Sequence, residues 1–119
     1  MKILKGLWLI SFMGRYIQVL TTTGKREDAE KIARILLERR LAGCVQVVGP
    51  VSSLYWWKGG IEKAEEWLCI IKSREDLYEE LEKTIRENHP YEIPEIIAMQ
   101  IVSGNRSYLE WMNAELKKQ

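Results

Sequence analysis

One histidine, two cysteines, one phenylalanine and three prolines are all that this 119-residue chain has of those types. A lone imidazole leaves a single candidate base, and no nucleophile elbow accompanies it, so an acyl-transfer triad is excluded as a working idea. Too few donors are present for a closed tetrahedral metal site within one chain. Cys44 and Cys69 lie 25 residues apart with no C-x-x-C. That is too little for a disulfide scaffold, so free thiols in a reducing, cytoplasmic setting are expected, with a single disulfide left open. No apolar run approaches the roughly 20 residues that cross a bilayer as a helix, so no membrane partner is expected. Charge of one sign is missing too. The net is +1, which excludes nucleic-acid binding driven by bulk charge.

What is present is ordinary for one globular domain: 46% hydrophobic and 29% charged residues rule out disorder. The charge is unevenly spread. Residues 1–59 carry +6 and residues 60–119 carry −5. Either these are solvated helix faces, or surfaces of opposite sign meet in an oligomer. Residues 1–15 form an extension of unknown function. Lys2 and Lys5 precede Leu7-Trp8-Leu9-Ile10-Ser11-Phe12-Met13, which has the look of a signal peptide but no small-residue cleavage site. An extra strand or short helix on the core is expected there, and Met13 offers an alternative start.

The domain itself spans 16–119. Residues 16–22 are β-branched and aromatic, as in a buried strand. Thr23-Gly24 opens a helix over 25–41 whose apolar stripe is Ala29, Ile32, Ala33, Leu36, Leu37 and Leu41, with Gly43 as its stop. Residues 44–58 read as a strand interrupted at Gly49-Pro50, and Gly59-Gly60 as a hairpin turn. The return strand runs over 61–72, with Trp67, Cys69 and Ile71 on one face. Ser73-Arg74-Glu75-Asp76 fits a capping box for a helix over 74–87. A strand over 95–102 follows, then a helix over 106–117 capped by Asn105. The order β-α-β-β-α-β plus a terminal helix is the split βαβ plan, an α+β, ferredoxin-like fold with helices on one face of an antiparallel sheet. The second sheet face then needs cover from the last helix, the N-terminal segment or another copy.

Several segments carry a resemblance. Thr21-Thr22, Leu41-Ala42-Gly43-Cys44-Val45, Tyr55-Trp56-Trp57-Lys58-Gly59, Glu66, Ile71-Lys72, His89-Pro90-Tyr91-Glu92-Ile93-Pro94-Glu95-Ile96 and Tyr108-Leu109-Glu110-Trp111 stand in the order found in CutA. The chain resembles this divalent-cation tolerance family from about Tyr16 to Leu116. The resemblance implies a compact, mostly cytoplasmic homotrimer similar to the PII signalling proteins, linked to tolerance of copper and other divalent cations. It implies no enzymatic activity and no organic cofactor. Copper-binding members use the cysteine that Cys44 matches and two consecutive histidines, of which this chain keeps His89 and has Asn88 in place of the first. An amide is a far poorer Cu(II) ligand than an imidazole, so weak binding of copper or another divalent cation through Cys44 and His89 is expected.

Each candidate has a plainer reading. Cys44 can be a small buried hydrophobe, and Cys69 reads as core. His89 can be a loop residue bonded to backbone. Tyr55-Trp56-Trp57 places aromatics on both sheet faces, for packing between copies or for stacking on a planar ligand. The alternative function is a PII-like regulatory trimer with a small anionic ligand in an intersubunit cleft near Trp57, Glu66, Lys72, Tyr91 and Glu92. Thr21-Thr22-Thr23-Gly24-Lys25 fails the P-loop pattern, and no RNP-type aromatic strand is present.

Overall fold

The computed structural model describes residues 16–119, so the readings of residues 1–15 lie outside the described residues. Strand β1 (Tyr16–Thr23) leads to helix α1 (Arg26–Glu38). The long strands β2 (Cys44–Trp57) and β3 (Gly60–Arg74) form a hairpin. A short 3-10 turn (Glu75–Leu77) precedes α2 (Tyr78–Asn88), then come β4 (Ile97–Gln100) and α3 (Arg106–Glu115). The sheet is antiparallel with order β2-β3-β1-β4, so the expected α+β, ferredoxin-like plan is the one observed.

The pleat sorts each strand into two faces. Ile17 and Val19 of β1 and Cys69 and Ile71 of β3 point to one side, where they pack with Ile32 and Leu36 of α1 and Leu81 and Ile85 of α2. The other side carries Leu20, Val48, Leu68, Ile70, Ile97 and Met99 by the strand register. Among the described residues it has no helix layer to match: Val48, Ile97 and Met99 remain 45%, 49% and 42% exposed.

Local departures from expectation have physical reasons. Helix α1 ends at Glu38 rather than near Leu41, because Arg40 enters the left-handed region at φ 60°. The Arg40 and Leu41 N–H groups then donate to the Leu37 and Leu36 carbonyls, a Schellman-type close that needs no glycine. Gly43 serves a different end: a Cβ there would meet Met112 Cγ at 2.7 Å, so it lets α3 approach. The hairpin turn is Lys58-Gly59, at φ 49° and 82°, with Gly60 already paired to Trp57; the expected Gly59-Gly60 turn is one residue out of register. Between Val48 and Val51 the ladder shifts, so Gly49-Pro50 is the expected irregularity. A Cβ at Gly49 would lie 2.6 Å from Trp67 Cδ2, so the bulge seats backbone flat on an indole.

The capping box at Ser73 does not form. Ser73 is an inward position of β3, and its buried hydroxyl donates to the Leu41 carbonyl at 2.6 Å. A buried hydroxyl is costly to leave unpaired, and the core carbonyl outcompetes a helix start. Helix α2 therefore begins at Tyr78 instead of Arg74. Strand β4 is shorter than 95–102: it pairs with β1 over Ile97–Gln100, and the Ile101 N–H still donates to the Tyr16 carbonyl at 2.9 Å. Asn105 does cap α3, its Oδ1 accepting from the Tyr108 N–H at 2.9 Å.

Candidate functional site

Two clusters carry the candidate residues, one at the C-terminal end of β1 and the middle of β3, the other at the start of β2 and the C-terminal end of β3. The first is built where the chain leaves α2. His89 Nε2 lies 2.7 Å from the Thr22 carbonyl, and the Tyr91 N–H donates to His89 Nδ1 at 3.1 Å. That bonding assigns the tautomer: Nδ1 accepts, so Nε2 carries the proton and donates to Thr22. The Tyr91 hydroxyl then donates to Glu66 Oε2 at 2.7 Å. Glu66 is only 7% exposed, and its carboxylate on β3 is what the phenol was positioned to meet.

Burial holds the His89 imidazole below its ordinary pKa, against the opposing pull of the Thr22 carbonyl, Asp28 and Glu66. Burial, followed by the bond to Glu66, holds the Tyr91 phenol above its ordinary value. Both groups are thus neutral at pH 7. Asp28 and Glu66 leave this end with carboxylates facing the loop, a poor environment for an anionic ligand.

The second cluster surrounds Cys44 at the start of β2. The Cys44 side chain stands on the open sheet face, directly opposite Lys72, whose ammonium donates to Gln46 Oε1. Tyr108 of α3 lies beside it: burial first, then the Cys44 thiol, raise the phenol above its ordinary pKa. Tyr108 also packs against Trp111, ring centroids 5.6 Å apart. No sequence signal pairs Cys44 with Tyr108: they lie 64 residues apart, and only the fold brings α3 back to β2.

Within one chain the two expected metal donors do not meet. Thr22, which holds His89, pairs with Leu68, and Cys44 pairs with Lys72, four residues on along β3 or about 13 Å. Both His89 nitrogens are already engaged. Among the described residues no group of three or more His, Cys, Asp or Glu is placed to hold a metal ion. The expected cleft is dispersed as well. Glu66 and Tyr91 meet, but Lys72 and Gly60, the partner of Trp57, are each six residues from Glu66 along β3, about 20 Å in opposite directions. Trp57 sits under the Lys58 ammonium at the hairpin tip, and Glu92 is exposed on the loop. Cys69 is core, with burial pushing its thiol up to about 11 and its Sγ 3.7 Å from the Ala29 carbonyl. Cys44 and Cys69 are both free and face opposite sides of the sheet.

The fold defines a small α+β protein of the ferredoxin-like class, with these two polar clusters set apart along its sheet. The family described as CutA1 divalent ion tolerance protein matches residues 17–115. The chain belongs to this family. It is 43% identical over 102 residues to the divalent-cation tolerance protein CutA of Pyrococcus horikoshii, covering 86% of this chain and 99% of that one. It is 40% identical over 96 residues to the chloroplastic CutA 1 of Oryza sativa, covering 81% of this chain and 54% of the relative, so it spans about half the length of that protein. The crystal structure of CutA1 from Oryza sativa superposes with a TM-score of 0.86 at 36% identity, over 88% of this chain and 96% of that one. A structure described as the periplasmic divalent cation tolerance protein CutA from Archaeoglobus fulgidus gives 0.83 at 34% identity, over 86% and 99%. Relatives are thus described from more than one compartment. Among the described residues no helix is long and apolar enough to cross a membrane.

Proposed function

We propose that the chain acts as a non-catalytic homotrimer that binds copper or another divalent cation weakly, with the Cys44 thiol as the principal donor. The observation that carries this reading is the placement of the half-buried Cys44 thiol on the sheet face turned away from α1 and α2, beside Lys72 and Tyr108. A thiolate is a soft ligand suited to copper, but one chain supplies too few donors around it. Copies packed through that face would bring equivalent thiols and phenols toward one another, so assembly and binding would share one surface. The two unpaired thiols suit a reducing, cytoplasmic compartment. His89 is left out of the donor set, because the folded chain spends one of its nitrogens on the Thr22 carbonyl of β1 and the other on the Tyr91 N–H.

Calorimetric titration with Cu(II), and with Cu(I) under anaerobic conditions, tests the reading on the wild type and on Cys44→Ser. The wild type should bind weakly and lose at least about tenfold in affinity on replacement of the thiol, the loss expected for removing a principal ligand. Equal affinity in the two proteins would remove Cys44 from the site.

A further inference from the structure

We propose that His89 is a pH-operated clasp that fastens the loop over 89–96 to the end of β1 and opens on acidification.

The loop needs such a fastener. It carries Pro90 and Pro94, which have no N–H to donate, between the end of α2 and the start of β4. Side chains hold it instead. His89 grips Thr22 through one nitrogen and Tyr91 through the other, the His89 and Tyr91 rings lie 4.8 Å apart, and Tyr91 reaches on to Glu66.

The neutral ring is what makes this arrangement work. It offers one donor and one acceptor, and the site uses both. An imidazolium has two donors. Its added proton would sit on Nδ1, where the Tyr91 N–H already points, so donor would face donor. The bond to Thr22 would survive and the bond to Tyr91 would not. The charged groups facing the ring are Asp28 of α1 and Glu66 of β3, with the neutral Tyr91 phenol on the loop itself. The two carboxylates favour the charged ring, but burial disfavours it more, and the net pKa falls below the ordinary value of 6.5.

The direction follows from linkage. The closed state binds the proton less readily than the open one, so closure is fully favoured above 6.5 and is lost as pH falls through the closed-state value. Opening would uncouple Tyr91 from Glu66 and free the lead-in to β4, one of the two edges of the sheet. The clasp stands independently of the metal and assembly readings.

Nitrogen-15 NMR of His89 and hydrogen exchange at the Tyr91 amide test it on the full chain. At pH 7.5 the Nε2–H tautomer is expected. Below 6.5, Tyr91 protection, after correction for intrinsic exchange and referenced to Ile71 in the core, should fall by up to about tenfold per pH unit. His89→Gln keeps a donor for Thr22 but does not titrate, and should flatten that slope. An Nδ1–H tautomer at neutral pH would overturn the proposal on the wild type alone, whatever the variant does. So would a Tyr91 slope equal to that of Ile71, or the same slope in wild type and variant.

Discussion

The two faces of one sheet behave differently although the same strands build them. On the helix side, Val19, Cys69 and Ile71 are fully buried beneath α1 and α2. One residue further along the same strands, Leu20 and Ile70 point the other way, beside exposed Val48, Ile97 and Met99. Strands that are apolar on both sides usually belong to sheets covered on both sides. The difference teaches that the described residues complete one half of a two-sided core and leave the other face open.

That contrast can be broken from either side. The largest effect is expected on the closed face. Leu81→Ala should destabilise the fold by about 2–5 kcal/mol in chemical denaturation, because Leu81 is fully buried between α2 and the sheet. Gly49→Ala comes next, at about 1–3 kcal/mol, since its Cβ would press into the Trp67 ring. The smallest change in the unassembled chain is expected on the open face. There Met99→Lys should stay within about 0.5 kcal/mol, as surface substitutions usually do. Its effect should appear instead in sedimentation velocity, as loss of the assembled species. A Met99→Lys protein that sediments like wild type would mean that this face is not where copies meet.

Most of the fold was legible because its signals are local. The stripe of α1, the alternation of Trp67, Cys69 and Ile71, the Asn105 cap and the turn near Gly59 each depend on neighbours a few residues away. The errors came where a distant group decided the outcome. Ser73 looks like a cap until the Leu41 carbonyl claims its hydroxyl. Gly43 looks like a helix stop until Met112 fills the space above it. The candidate site was less legible for the same reason. His89 and Tyr91 are two residues apart, but the groups that define their chemistry, Thr22 and Glu66, come from β1 and β3. No spacing rule connects them. A thiol and an imidazole singled out from one sequence are natural partners for a metal; the register of β3 sets them four residues apart along that strand instead, about 13 Å.

Light scattering on the purified chain at micromolar concentration tests the central claim most directly. The account predicts a single particle with the mass of three 14.0 kDa chains. A well-folded species of one chain's mass, persisting as concentration rises, would contradict it.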